Sequence, residues 1–246
     1  MSFNIGLCSV SFRSHTPEEI LAAAKRAGLS YIEWGSDVHA PHSDERRLCE
    51  IVALQEKYGI KCSSYGTYFR LGVTPLCELE DYVNAAKKLG TSIVRVWCGS
   101  KNSEDYTSDE KKALFDACRA AAEIAKKHSV TLCTECHNNT YTNCVSGALE
   151  LFDAVKSEHF RTYWQPNQYR SEEENIICAR LLAQICENVH VFNWKGDERF
   201  PLCDAVDIWK KYLSHFERGV LLLEFMPDDK IDALENETIA LKEIIR

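Results

Sequence analysis

Four polar side chains recur at matching places in the second half of the chain, within or directly after short apolar runs. They are Glu135, Gln165, His190 and Glu224. Glu224, for instance, follows four consecutive aliphatic residues at positions 220–223. A polar or charged group in such a run is costly unless it is paired or binds a metal ion. We therefore take these four residues as candidates for a functional site.

Two carboxylates, one imidazole and one amide oxygen form a donor set that suits a divalent cation of hard to borderline character. We expect Mn²⁺ at Glu135, Gln165, His190 and Glu224, with Mg²⁺, Co²⁺ or Zn²⁺ as alternatives. Glu135 and Glu224 could instead act as a general acid and a general base on opposite faces of a substrate. The residue types leave both roles open.

The surrounding sequence repeats one pattern, in which a helical stretch ends near a small residue and a β-rich run follows. Around residues 88–97, Gly90 comes shortly after two lysines, which is a helix C-cap signal, and mostly β-branched or apolar residues follow. The pattern predicts strands near residues 3–8, 31–34, 60–65, 92–97, 130–135, 161–165, 188–192 and 219–224. It predicts helices at about 17–27, 44–57, 75–89, 108–127, 145–156, 172–185, 204–214 and 231–244. This alternation favours a (β/α)8 TIM barrel that forms a single domain over residues 1–246.

In such a barrel the active site lies at the C-terminal ends of the strands, where this sequence carries aromatic and basic residues. Sugars present C–H faces that pack on aromatic rings, and their hydroxyls need polar neighbours, so we expect a pocket for a small sugar. The predicted substrate contacts are Trp34, His39, Tyr65, Arg70, Trp97, His137 and Trp194. The alternative for the tryptophans is that they only cap the barrel core.

Composition limits the classes of partner. The chain has 29 lysines and arginines against 37 aspartates and glutamates, a net charge of −8, which disfavours nucleic acid and anionic membranes. No apolar run approaches the ~20 residues of a membrane helix, and the N-terminus does not resemble a signal peptide. We therefore expect a cytoplasmic protein whose twelve cysteines are mostly reduced core residues. A homo-oligomer is compatible with these data.

The order Glu135, Trp-Gln-Pro-Asn at 164–167, His190 and Glu224 resembles the xylose-isomerase-like barrel family of sugar phosphate isomerases and epimerases. The resemblance covers essentially the whole chain. In that family Glu, Asp, His and Glu on strands five to eight bind the metal, and the two glutamates move the proton in ketose epimerases. The resemblance implies that Glu135, His190 and Glu224 are ligands and that the two glutamates are the acid–base pair. Gln165 stands where the family usually has Asp, and Gln168 where many epimerases have a His that faces substrate or metal.

The residues and the resemblance together predict a metal-dependent isomerase or epimerase that acts on a ketose or related sugar through an enediolate, with Glu135 and Glu224 transferring the proton. A lyase or dehydratase on the same metal site is the first alternative. A non-catalytic sugar-binding barrel, whose metal site is degenerate at Gln165, is the second. An apurinic endonuclease of the same broad fold is disfavoured because it needs a basic groove.

Overall fold

In residues 2–246, which the computed structural model describes, eight parallel strands pair side by side until the last meets the first and closes a barrel, with eight α-helices around it. The barrel strands are β1 (Ser2–Cys8), β2 (Tyr31–Gly35), β3 (Lys61–Leu71), β4 (Ile93–Cys98), β5 (Thr131–Glu135), β6 (Phe160–Trp164), β7 (Cys186–Val191) and β10 (Arg218–Leu223). The helices are α1 (Pro17–Ala27), α2 (Glu45–Tyr58), α3 (Leu79–Lys88), α4 (Ser108–His128), α5 (Val145–Val155), α6 (Glu172–Leu182), α7 (Val206–Leu213) and α8 (Leu234–Ile244). The predicted (β/α)8 barrel is confirmed.

Three helices begin later than the sequence predicts because a short 3₁₀ turn precedes each of them. These are α3, α7 and α8, which follow 3₁₀ segments at residues 76–78, 202–205 and 231–233. Such turns are common where a helix begins. The sequence also does not predict a small antiparallel hairpin after β7, formed by β8 (Trp194–Lys195) and β9 (Glu198–Arg199).

Local signals set the ends of several helices. Thr16, Thr107 and Ser171 each form a capping box with the glutamate three residues later, which satisfies N–H groups of the first turn. Gly28 and Gly59 follow α1 and α2 in the left-handed conformation, at φ 77° and 64°. Because the helix ends are fixed locally, the start of each following strand is fixed as well.

Buried apolar residues form two separate clusters. The larger one lies between the sheet and the helices and contains Trp34, Trp164 and Trp209. The smaller one consists of Cys8, Val10, Cys133, Tyr163 and Leu222. Members of the smaller cluster lie on or next to β1, β5, β6 and β10, which are not all neighbours in the sheet, so they meet inside the barrel. The same interior holds charged residues, which belong to the site described below.

All twelve cysteines are free thiols, and only Cys49, Cys77 and Cys203 are exposed. Within residues 2–246, no helix is both long enough and apolar enough to cross a membrane.

Glu237 of α8 is a buried carboxylate outside the barrel interior. The backbone N–H of Leu202 donates to its two oxygens at 3.3 and 3.1 Å. Burial raises the pKa of Glu237 from 4.5 to about 7, and the charges of Asp204 and Asp228 add to the increase, although the Leu202 N–H opposes it. The folded protein therefore holds a proton that the unfolded chain releases between pH 4.5 and 7, so this group lowers stability as pH rises through that window.

Glu237→Gln should remove this pH dependence, because glutamine stays neutral and its amide oxygen can still accept from Leu202. The melting temperature of the variant should rise relative to wild type as pH goes from 4.5 to above 7. Thermal unfolding at pH 5 and pH 8 measures the difference. Glu243→Gln, at an exposed position of the same helix, is the control and should shift little. A constant offset between Glu237→Gln and wild type at both pH values would contradict this account.

Candidate active site

The side chains of Glu135, Gln165, His190 and Glu224 converge at the C-terminal ends of four strands. His190 Nδ1 lies 2.9 Å from Gln165 Oε1, 3.4 Å from Glu135 Oε1 and 3.4 Å from Glu224 Oε2. The His190 side chain is fully buried. The structure thus brings the four sequence-predicted residues to one point, and their roles as metal ligands stay predictions.

An unusual backbone conformation follows Glu224. Phe225 has φ 54°, in the left-handed region that bulky residues seldom adopt. Its backbone N–H donates to Ser11 Oγ at 2.8 Å. Such a conformation costs on the order of 1–3 kcal/mol and is typical of functional sites. It turns the chain directly after Glu224, at the end of β10.

Two donors hold one oxygen of Glu135. Arg95 Nη1 and Trp97 Nε1, both on β4, each donate to Glu135 Oε2 at 2.6 Å. Arg95 and Glu135 are 3% and 4% exposed, so this ion pair is shielded from solvent. The other oxygen, Oε1, is the one that faces His190. The contacts therefore assign the two oxygens of Glu135 to different partners.

Glu33 of β2 completes the charged layer inside the barrel. Its Oε1 accepts a hydrogen bond from Arg95 Nε at 3.3 Å, and its Oε2 accepts one from Ser64 Oγ at 2.9 Å. His190 Nε2 lies 3.5 Å from Glu33 Oε1 and has no hydrogen-bond partner in the described part of the chain. A carboxylate behind a histidine ring is a common way to fix which nitrogen faces a metal. In this structure Nδ1 carries a hydrogen that it donates to Gln165 Oε1, because an amide oxygen only accepts, so Nδ1 would have to lose that hydrogen to bind a cation.

The two candidate acid–base carboxyls lie in different electrostatic environments. Burial alone would raise the pKa of Glu135, but the charges of Arg95 and His190 outweigh it and hold that pKa below its usual range. Burial dominates at Glu224 and raises its pKa, with repulsion from Glu135 adding to the effect. Glu33 resembles Glu135, since attraction to Arg95 overcomes the cost of burial and lowers its pKa.

The distances around His190 Nδ1 are close to those of a divalent-cation site. Oxygen and nitrogen ligands lie about 2.0–2.2 Å from ions such as Zn²⁺ or Mg²⁺, so neighbouring ligands of one ion are about 3 Å apart. The three distances from His190 Nδ1 lie near that spacing. Within residues 2–246, the His, Cys, Asp and Glu side chains whose ligand atoms all lie within 4.8 Å of one another are Cys8, His190 and Glu224. Glu135 does not belong to this group, so its carboxylate would have to move towards Glu224 to share one cation with it.

A cavity of about 380 Å³ opens above the cluster. Four of the predicted substrate contacts line it, namely Trp97, His137, Gln168 and Trp194. The residues that sequence reasoning did not select are Val10, Arg13, Tyr68, Arg95, Cys136, Asn138, Asn139, Asn167, Tyr169, Phe192 and Phe225. At its mouth, Arg13 donates to Asp37 at 2.7 Å and to Tyr68 Oη at 2.5 Å.

Three of the predicted substrate contacts, Trp34, His39 and Tyr65, do not line the cavity. Side chains alternate along a strand, and Glu33 and Ser64 face the barrel interior, so the next residues face outward. Trp34 Nε1 accordingly donates to Gln55 of α2 at 2.7 Å, and Tyr65 Oη donates to the Ala40 carbonyl at 2.6 Å.

His39 is 2% exposed and lies in the loop after β2. Its ring nitrogens are 3.1 Å from Ser9 Oγ and from the His15 carbonyl, so both already have partners. Arg70 is also absent from the cavity lining. It donates to the Gly99 carbonyl at 2.8 Å, and its guanidinium lies 4.2 Å from the centroid of the Trp97 ring. Arg70 therefore packs against a residue of the cavity wall without lining the cavity.

His137 is the one imidazole in the cavity lining with a free nitrogen. Its ring stacks on Trp97 at 4.8 Å and 18°. Nδ1 lies 2.7 Å from the Asn138 carbonyl, and since a carbonyl only accepts, Nδ1 carries the hydrogen. Nε2 makes no hydrogen bond to residues 2–246, so this nitrogen is free to face a substrate.

Comparison with known proteins agrees with the architecture. Residues 21–239 match the model of the xylose isomerase-like TIM barrel family. The chain belongs to this family. A 3-dehydroshikimate dehydratase from Bacillus anthracis is 24% identical over 161 residues, which are 61% of this chain. That match spans 56% of the dehydratase, little more than half of its length.

Solved structures with little sequence identity share the fold. A probable 3-DHS dehydratase from Bacillus anthracis superimposes with a TM-score of 0.83 at 16% identity, over 98% of this chain and 99% of that one. D-psicose 3-epimerase from Clostridium cellulolyticum, solved with D-tagatose, gives 0.70 at 13% identity over 98% and 97%. A xylose isomerase-like barrel protein from Mycobacterium smegmatis, solved with magnesium, gives 0.72 at 12% identity over 99% and 97%.

Arg95→Met should destabilise the protein by about 3–5 kcal/mol, because it leaves two buried carboxylates without their counter-charge. Trp97→Phe removes one hydrogen bond to the same oxygen of Glu135 and should cost less, about 1.5–3 kcal/mol. Urea unfolding of both variants measures the change in the free energy of unfolding. A loss for Arg95→Met that is no greater than the loss for Trp97→Phe would contradict the importance given to the ion pair.

Proposed function

We propose that this protein is a divalent-metal-dependent lyase that removes the proton next to the carbonyl of a polyhydroxylated ketone and expels a group from the adjacent carbon. A bound cation would polarise the carbonyl and stabilise the negative charge of the enolate. Glu135 Oε1, Gln165 Oε1, His190 Nδ1 and Glu224 Oε2 would hold the cation. Relatives of this family include a dehydratase and an epimerase, both of which act on small polyhydroxylated compounds by name.

The main support for the proposal is that the two candidate bases, Glu135 and His137, differ in whether they have an atom free to accept a proton. Glu135 Oε2 already accepts two short hydrogen bonds, and Oε1 faces the donor cluster, so neither oxygen is free to carry a proton. His137 Nε2 has no partner in the described residues and belongs to a cavity-lining ring. One free base suits elimination, in which one group can take and return the same proton.

The proton path would use His137 alone. Nε2 takes the hydrogen from the carbon next to the carbonyl, and the electron pair of that C–H bond moves into the enolate. The enolate then forms a carbon–carbon double bond as the bond to the leaving group breaks. His137 gives the proton to the leaving oxygen, so that a hydroxyl departs as water. Stacking on Trp97 and the bond to Asn138 fix the ring during both transfers.

Isomerisation or epimerisation is the second candidate, and one observation favours it. β5 and β10 are three steps apart in the eight-stranded ring, so His137 and Glu224 approach the cavity from well-separated sides. Two groups on opposite faces of a substrate are what an epimerase needs. In this case Glu224 would deliver a proton to the face opposite His137. A non-catalytic sugar-binding barrel would bind ligand without proton exchange.

His137→Gln should slow removal of the substrate α-hydrogen, seen as exchange in D₂O or as elimination product, by about 10²–10⁴-fold, because general-base catalysis is lost. The protein would be incubated with Mn²⁺ and 3-dehydroshikimate or D-psicose. NMR would follow exchange and identify dehydrated or epimeric products. His128→Gln, on α4 and paired with Glu80 outside the cavity, is the matched control and should exchange like wild type. Exchange retained in His137→Gln but lost in Glu224→Gln would overturn the one-base lyase and support the epimerase.

A further inference from the structure

Gln165 presents two chemically different atoms at the active site. Its Oε1 lies 2.9 Å from His190 Nδ1 and belongs to the donor cluster. Its Nε2 makes no hydrogen bond to residues 2–246, yet it is not among their buried unpaired polar atoms, so it stays accessible. The side chain lines the active-site cavity. An accessible amide nitrogen with two free hydrogens therefore lies beside the reaction site.

The geometry of the amide group determines which of its two polar atoms, Oε1 or Nε2, faces the donor cluster. The amide group is planar, so once Oε1 faces the donor cluster, Nε2 lies next to Oε1 in the same plane and can donate to an oxygen bound beside it. The reverse orientation would turn N–H groups towards the cluster and leave it without its fourth acceptor atom. A carboxylate at this position would present a second, negatively charged oxygen in place of the donor.

We propose that Gln165 has two functions, in which Oε1 completes the ligand set and Nε2–H donates a hydrogen bond to the substrate oxygen that gains negative charge. This proposal rests on the proposed function, since that oxygen is the enolate oxygen of the reaction described above. A fixed donor aimed at a developing oxyanion stabilises the transition state more than the ground state. The residue is therefore a specificity determinant for substrates that react through a planar, anionic enolate or enediolate.

The charges around the site support this role. Glu135 and Glu224 carry two negative charges, which a divalent cation would balance, and Arg95 offsets Glu33. A neutral fourth ligand leaves the loaded centre without excess negative charge, so an anionic oxygen can approach. A third carboxylate would strengthen cation binding and repel that oxygen. Compared with a carboxylate at the same position, Gln165 should therefore bind the cation more weakly and let the site bind an anionic intermediate more tightly.

Gln165→Glu separates these two effects because they move in opposite directions. Isothermal titration with Mn²⁺ alone should show cation affinity increased by about tenfold or more, since the added ligand is charged. Titration of the Mn²⁺-loaded variant with glycolohydroxamate, a planar anionic mimic of an enediolate, should show affinity lowered by about 10- to 100-fold through loss of a hydrogen bond to a charged group. A residue with only a structural role would weaken both affinities or neither.

Two further variants complete the test. Gln184→Glu adds a carboxylate at an exposed position that does not line the cavity and should leave both affinities unchanged. Gln165→Asp also supplies a charged oxygen and removes the N–H donor, so Mn²⁺ affinity should rise while glycolohydroxamate affinity falls. Because the two affinities again move in opposite directions, this variant keeps the test decisive if Gln165→Glu does not fold.

Each outcome decides one part of the proposal. Unchanged Mn²⁺ affinity in Gln165→Glu, or no Mn²⁺ binding by wild type, would overturn the ligand role. Unchanged or higher glycolohydroxamate affinity in that variant would overturn the donor role. Both titrations measure binding without turnover. Failure of the lyase proposal, seen as absence of an elimination product with the wild type, is therefore distinguishable from failure of this one.

Discussion

Three carboxylates, those of Glu33, Glu135 and Glu224, lie inside a barrel interior that solvent hardly reaches, and the guanidinium of Arg95 lies between two of them. Several buried carboxylates at close range cannot all stay ionised without nearby positive charge. Arg95 supplies that charge, and its planar group has enough donors for both neighbours. The donor cluster at the top of the barrel depends on this layer, because Arg95 donates a hydrogen bond to Glu135 and the Glu33 carboxylate lies 3.5 Å from His190 Nε2.

Trp97 connects this charged layer to the cavity. Its indole nitrogen donates a hydrogen bond to Glu135, and its ring stacks on His137. The guanidinium of Arg70 lies over the same ring, 4.2 Å from its centroid. One side chain thereby positions a proposed ligand and the proposed base relative to each other. Catalytic groups must be held within fractions of an ångström of their productive geometry. The walls of the cavity serve that purpose as well as binding substrate.

The fold follows closely from the sequence because each barrel unit carries its own local signals, such as the capping boxes at Thr16 and Thr107. The four converging residues were found because polar groups stand out in apolar runs. Glu33 and Arg95 satisfy the same criterion, and attention to charge in the middle of β2 and β4 would have found them. Trp34 and Tyr65 lie outside the cavity lining because side chains alternate along a strand, and this alternation continues to the strand end. Arg13 and Tyr169 reach the cavity from loops, where no periodic pattern indicates direction.

The central claim is that the four side chains around His190 Nδ1 bind one divalent cation. Crystals of wild-type protein grown with Mn²⁺ and measured at the manganese absorption edge test it most directly. The account predicts one strong anomalous peak within bonding distance of Glu135 Oε1, Gln165 Oε1, His190 Nδ1 and Glu224 Oε2. A map without such a peak, in which His190 keeps its direct hydrogen bond to Gln165, would contradict it.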